Sequence, residues 1–235
     1  MRPFWFVALI LAVLAAWGGG WLVRSPWFRV AHVGVEVPLA APVTRDQVQR
    51  TAAIAPGANV WLLDAHAIAR RIEAIPYVDR ATVARGQFPA PYVDLAVTVR
   101  RPSACVRGGG AEVTIDASAR VLQTGCATKS APWIDAGTGR LAAPGATVAD
   151  PDVAQLLADA RTLADASLVV RSLRRDRWGG LEAVDASGVT LRFGEDADLA
   201  QKTALVGPVR AGIGTKRPVK AIDLRAPRTP TVEFR

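Results

Sequence analysis

Apolar residues between positions 28 and 102 switch period from two to about 3.6 and back, and the switches mark out a small domain. In 28–37, Phe28 and Val30 share one face while Val33, Val35 and Val37 share the other. A bulge between the two sets brings both onto one core. A helix follows, with Thr44 as N-cap, Gln47 completing a capping box, and Val43 and Val48 as the flanking hydrophobic staple. After the loop Gly57-Ala-Asn-Val-Trp-Leu-Leu-Asp64, a second helix starts on Asp64 as N-cap. It sets Ile68, Ile72 and Ile75 at i, i+4 and i+7, and Pro76 stops it. The last strand alternates cleanly: Val93, Leu95, Val97 and Val99 face one way, Asp94, Ala96, Thr98 and Arg100 the other. These periods predict two helices over one face of a three-stranded sheet, in the order βααββ.

Beyond Pro102 the texture changes. Residues 105–123 read as two strands, with turn signals at glycines 108–110 and at Asp116-Ala-Ser. Residues 124–147 form a loop rich in Gly, Ala, Pro and Thr. A helix then opens with Asp150 as N-cap and Pro151 at its first position, burying Val153, Leu156, Leu157, Ala160 and Leu163. Strands are expected at 168–174, 180–184 and 189–193, the last two joined by Asp185-Ala-Ser-Gly188. A helix over 196–207 ends near Pro208, and the chain closes with 219–225 and a strand-like 231–234. The fold class expected is α+β: an N-terminal transmembrane helix, the βααββ domain, and a mixed α/β domain with an antiparallel sheet.

The helix expected in front carries no charge over 4–23. Twenty residues at about 1.5 Å each span roughly 30 Å, the hydrocarbon thickness of a bilayer. Trp5, Trp17, Trp21 and Trp27 lie near its two ends, as an aromatic belt does. A cleaved signal peptide is the competing reading; the length of the run and the lack of an A-x-A site speak for an uncleaved anchor. Charge does not set the orientation, since Arg2 and the amino terminus oppose Arg24 and Arg29. A short cytoplasmic tail with the bulk of the chain exported is the arrangement expected.

Net charge is +8, and 25 of the 29 basic residues are Arg because only Lys129, Lys202, Lys216 and Lys220 are lysines. Such a surplus suits an acidic partner, a nucleic acid or an anionic membrane surface. The densest cluster, Arg171-Ser-Leu-Arg-Arg-Asp-Arg177, reads as a solvated face. Cys105 and Cys126 both fall in the part expected to be exported, where a disulfide is permitted; a bridge and two buried thiols both remain open.

Residues for catalysis do not assemble. His32 and His66 lack a partner at ligand spacing, so no zinc site or other cofactor is indicated. No Ser sits in a G-x-S-x-G elbow. Residues 207–215 carry Ile213 where a phosphate loop needs Lys. Glu195, Asp196 and Asp198 open a helix, where carboxylates complement the dipole. Nucleic-acid binding lacks a recognition helix or interleaved aromatics, Trp178 alone standing beside the arginine cluster.

The βααββ segment resembles the POTRA module of the FtsQ/DivIB bacterial cell-division proteins. The likeness rests on Phe28-Arg-Val30, Gly57 to Asp64, Pro76-x-Val78-x-x-Ala81-x-Val83, Phe88-Pro89 and Arg101-Pro102. It continues through Ile115-Asp116, Gly188-Val-Thr-Leu-Arg-Phe-Gly194, Lys202 and Ala221-Ile-Asp-Leu-Arg225. Arg100 and Pro38 stand where the family usually has Glu and often Gly. The resemblance implies a tail at 1–3, an anchor at 4–23, a POTRA domain at 27–102, a β-domain at 103–225 and a C-terminal tail at 226–235. It implies a non-enzymatic scaffold in the inner membrane at the division septum, binding FtsB- and FtsL-like proteins by strand addition to an exposed sheet edge. Val219, Ala221, Ile222, Asp223, Leu224 and Arg225 are the strand expected to supply that edge, with Arg175, Arg177 and Trp178 as a second cationic contact. Other divisome components would dock on the POTRA sheet edge. The competing readings are a POTRA adaptor for envelope transport or outer-membrane assembly, and a cell-wall enzyme.

Overall fold

A computed structural model of the chain describes residues 3–87, 89–128, 130–214 and 217–235. The flanking Arg2, Phe88 of the Phe88-Pro89 pair and Thr215 of the rejected phosphate loop lie outside the described residues. The chain divides into two compact units at Arg100/Arg101.

The first unit begins with helix α1 (Pro3–Arg24) and a short 3-10 turn (Pro26–Phe28). Among the described residues no helix is long and apolar enough to cross a membrane. The apolar run read from the sequence includes positions 4, 16, 22 and 23, whose side chains are not described. Strand β1 (His32–Glu36), helices α2 (Arg45–Ala52) and α3 (Ala65–Glu73), and strands β2 (Val78–Gly86) and β3 (Tyr92–Val99) follow in the order βααββ. The sheet runs β1-β3-β2, with β1 parallel to β3 and β2 antiparallel to it.

Local signals account for this unit closely. The Thr44 hydroxyl accepts from the Gln47 N–H at 3.2 Å, and the Asp64 carboxylate from the Ala67 N–H at 2.9 Å. That last bond is the first cause holding Asp64 below the usual carboxylate pKa. Val43, Val48, Ile68, Ile72, Val93, Leu95 and Val97 are all buried in one cluster. The phase change in 28–37 sits at Ala31 and His32, whose two N–H groups both donate to the Pro91 carbonyl, at 2.9 and 3.4 Å. Two residues facing one is how a bulge shifts phase, and Val30, Val33, Val35 and Val37 all pack on the same core.

The second unit is one sheet of nine strands, ordered β12-β11-β10-β9-β8-β7-β4-β5-β6. The strands are β4 (Pro102–Gly108), β5 (Ala111–Asp116), β6 (Val121–Thr124), β7 (Trp133–Asp135), β8 (Val170–Arg175), β9 (Leu181–Asp185), β10 (Thr190–Gly194), β11 (Val219–Asp223) and β12 (Thr231–Phe234). Helix α4 (Pro151–Asp165) lies between β7 and β8 in the chain; α5 (Leu199–Ala204) and α6 (Val206–Ile213) lie between β10 and β11. Asp150 caps α4 as expected, and its whole predicted apolar face is buried. Three Asp-led turns share one device. Asp116 and Asp185 each take the N–H and hydroxyl of the Ser two residues on and the N–H four residues on; Asp176 takes the Trp178 and Gly180 N–H groups.

Several expectations are corrected here. The stretch 105–123 holds parts of three strands, because both turn signals it contains are real turns. The expected loop 124–147 contains β7, which inserts between β4 and β8 and runs parallel to both. Its three residues are too few to show a period. The helix over 196–207 is two helices, and Pro208 sits in the first turn of α6, where its missing N–H costs nothing. The sheet is mixed rather than antiparallel, with β4–β7, β7–β8 and β10–β11 parallel. The C-terminal stretch 226–235 supplies β12, which pairs antiparallel with β11. Val219–Asp223 therefore has neighbours on both sides and is not an edge. Cys105 and Cys126 are joined in a disulfide, with Cα atoms 5.4 Å apart.

Candidate docking surface

Period-two alternation in the second sheet sends Leu173, Ala183, Leu191 and Ile222 into its core and sets Arg174, Glu182 and Arg192 on the opposite face, where Glu182 is buried beneath the two arginines. These charges form a ladder across strands. Arg174 Nε donates to Glu182 at 2.6 Å, and Arg192 Nε to the other oxygen of Glu182 at 3.4 Å. Arg192 also lies 3.6 Å from Glu233 on β12, which in turn pairs with Lys220. The Lys220 bond is the first cause of the lowered Glu233 pKa.

Beside the ladder, the 176–180 turn between β8 and β9 presents Trp178 to solvent. The guanidinium of Arg177 lies 3.8 Å from the Trp178 ring centroid, a cation–π contact. Arg225 completes the group: its backbone N–H and Nε both donate to Asp223 Oδ1 at 3.0 Å. Those bonds pull the Asp223 carboxyl below its usual pKa, Arg225's side-chain donation most of all. The Arg225 stem lies over Gly194, where an added Cβ would meet Arg225 Cγ at 2.9 Å. Two open clefts border these residues. One of about 470 Å³ is lined by Arg174, Arg177, Trp178, Arg192 and Arg225. The other, about 460 Å³, is lined by Trp178, Gly194, Glu195, Lys202 and Arg225.

Of the nine expected contact residues, Arg177, Trp178, Asp223 and Arg225 come together here. Ala221, Ile222 and Leu224 are buried and Val219 half-buried, so their side chains belong to the sheet and its core. Arg175 is a correction. It turns to the helix side, where it forks onto Asp196 at 2.5 and 2.8 Å and reaches Asp159 of α4 at 3.0 Å. Asp196 thus holds an arginine rather than serving a helix start. Sequence reading missed Arg192, Lys220 and Glu233 as surface groups; the alternation in 189–193 and 231–234 was the signal that pointed outward.

The outermost strand on this side is β12. Arg235 N–H donates to the Pro218 carbonyl, so by alternation Val232 and Phe234 turn their N–H and C=O groups away from β11. No described strand pairs with that side. Such an arrangement can accept a strand and carboxylate side chains. Among the described residues no group of three or more His, Cys, Asp or Glu could hold a metal ion.

Residues 28–99 match the family described as POTRA domain, FtsQ-type. The cell division protein FtsQ of Streptomyces griseus is 35% identical over 116 residues, 47% of this chain and 52% of that protein. The chain is thus similar to the FtsQ/DivIB cell-division proteins, and its residues 28–99 carry their type of POTRA domain. It spans about half the length of the curated relative it matches. The FtsQ-type POTRA match covers α2, α3 and all of the three-stranded sheet, while the clefts and β12 lie outside it.

Proposed function

We propose that this chain is a bitopic scaffold of the division machinery that binds an FtsB–FtsL-like complex by strand addition, and that it works without catalysis. An FtsQ-type POTRA domain and the likeness to a cell division protein FtsQ support the divisome role. The anchor reading is supported by α1, a 22-residue helix that at about 1.5 Å per residue reaches roughly 33 Å. Its Trp5, Phe6, Ile10, Leu14 and Trp17 are all exposed, an apolar surface that a bilayer would cover. In this reading the chain lies in the inner membrane at the septum, with its two folded units outside.

One observation carries the partner reading: the outward edge of β12, with the Trp178–Arg225 group and the charge ladder beside it. Strand addition uses main-chain bonds for affinity and flanking side chains for choice of partner. The FtsQ-like edge is therefore β12, with Arg225, Arg177 and Trp178 as flanking contacts.

Proline tests the edge directly, because on an outward N–H of an edge strand it spares the sheet and removes a donor. Val232→Pro and Phe234→Pro, each compared with its alanine variant, should weaken co-purification of the FtsB- and FtsL-like pair from the same genome. Each lost bond is worth about 1 kcal/mol, roughly fivefold in affinity. Unchanged binding by both prolines would sink strand addition at β12. A fluorescent fusion spread evenly around the envelope would instead favour a transport or assembly adaptor.

A further inference from the structure

The POTRA unit carries an apolar surface that its core does not use. In the loop after α2, Val60 is buried while its neighbours Trp61 and Leu62 are 51% and 63% exposed. An Asx turn fixes this outward pose: the Asn59 side chain accepts from the Trp61 N–H at 2.9 Å, and the Asn59 carbonyl from the Leu62 N–H at 3.1 Å. The same loop is stitched to the segment just after α1. Val60 N–H donates to Phe28 at 2.8 Å, Val30 N–H to Ala58 at 2.9 Å, and Arg29 bridges Asn59. That segment carries Trp27, 75% exposed.

Distance along the chain limits where this surface can be. Phe28 is four residues beyond the end of α1, and three of them form a 3-10 turn rising about 2 Å per residue. The loop is therefore tied to a point roughly 10 Å from the helix end. The headgroup layer on one side of a bilayer is about 5–8 Å thick. Exposed Arg29 and Arg85 flank the apolar residues, and Arg85 Nη1 donates to the Leu63 carbonyl at 2.5 Å. Tryptophan and leucine with arginine beside them suit an anionic bilayer surface, with rings at headgroup depth and cations among phosphates.

We propose that Trp27, Trp61 and Leu62, with Arg29 and Arg85, form a second membrane contact that seats the POTRA unit on an anionic lipid surface. This rests on the reading of α1 as an anchor. The seat would limit the swing of the unit about the short linker and fix which of its faces meet other proteins.

The test uses the full chain, labelled with 5-fluorotryptophan, in nanodiscs containing phosphatidylglycerol. Single Trp→Phe variants assign the seven resonances. Nitroxide on the acyl chains should broaden Trp5, Trp17 and Trp21, which checks the anchor. Nitroxide on the headgroups should broaden Trp27 and Trp61, and both should be shielded from a water-soluble paramagnetic agent. The double variant Trp61→Ser/Leu62→Ser should leave the anchor signals unchanged and reduce headgroup broadening at Trp27 by at least twofold. Broadened anchor signals with Trp61 fully open to the soluble agent would overturn the contact alone. Trp61 shielded from water but untouched by headgroup nitroxide would assign the patch to protein and also overturn it. Unbroadened Trp5 and Trp17 would overturn the anchor and the contact together.

Discussion

Removing the Arg175 guanidinium should expose how the second unit is held together. The side chain is only 13% exposed and that of Asp159 only 4%, whereas Asp196 is at the rim. Burial is the first cause that pushes the Asp159 carboxyl up in pKa. The Asp196 charge adds to it, and Arg175 opposes it without cancelling it. Burial also works against the Arg175 charge, but the Asp196 hydrogen bond and both carboxylates outweigh it and raise its pKa. The fork onto Asp196 is thus the favourable half of the cluster, and Asp159 is a carboxylate made tolerable by its neighbour. Arg175→Met keeps most of the apolar stem and strands Asp159 without a counter-charge, at a cost of about 3–5 kcal/mol.

Hydrogen exchange of α4 and β8 amides in the full-length protein reads that loss as roughly two to four orders of magnitude in protection. Asp159→Asn alone should be nearly neutral at pH 7, and the double variant should recover about half of the loss. The pH dependence has a fixed sign. An acid whose folded pKa is raised stabilises most below its unfolded pKa, and that contribution is lost as pH rises through the folded value. The Arg175→Met deficit should therefore shrink on acidification toward the ordinary carboxylate range. A loss under 1 kcal/mol, or a double variant no better than the single, would refute the reasoning.

Two further outcomes follow from the geometry. Gly194→Ala should destabilise the second unit by about 1–2 kcal/mol, since φ is +70° there and the new Cβ meets Arg225; calorimetry reads the loss, and an unchanged transition would mean that Arg225 is not packed on that glycine. Replacing Cys105 and Cys126 by Ser opens a loop of 21 positions and should cost about 3 kcal/mol, seen as faster exchange in β4 and β5 but not in the POTRA helices.

The POTRA unit was legible almost residue by residue because its signals are local. Thr44 and Asp64 act on groups within three residues, and the Ile68/Ile72 and Val93/Leu95 spacings declare their buried faces. The second sheet was legible as a set of strands but not as an order. Nothing near Trp133 tells β7 to part β4 from β8, a choice made by pairings across dozens of residues. Charge was harder still. Arg174 and Arg175 are neighbours in one arginine run, yet strand alternation turns one to the ladder and the other to a buried clamp. The run itself carries no sign of which is which until the strand's phase is known.

That phase also governs how the proposed docking edge must work. A four-residue strand whose Val232 and Phe234 face outward offers two N–H and two C=O groups. At about 1 kcal/mol each, four bonds supply roughly 4 kcal/mol, which corresponds to a dissociation constant near millimolar. A scaffold that holds a partner at micromolar affinity needs about twice that, so side chains must provide the remainder. The surface has the residue types that carry such energy: Trp178 with Arg177 stacked on it, and Phe234 with the Arg217 guanidinium 5.7 Å from its ring. A partner strand on β12 should therefore be acidic and apolar by turns, and backbone and side-chain losses should combine. Phe234→Pro alone weakens such a complex; with Trp178→Ala added, it should fall below detection.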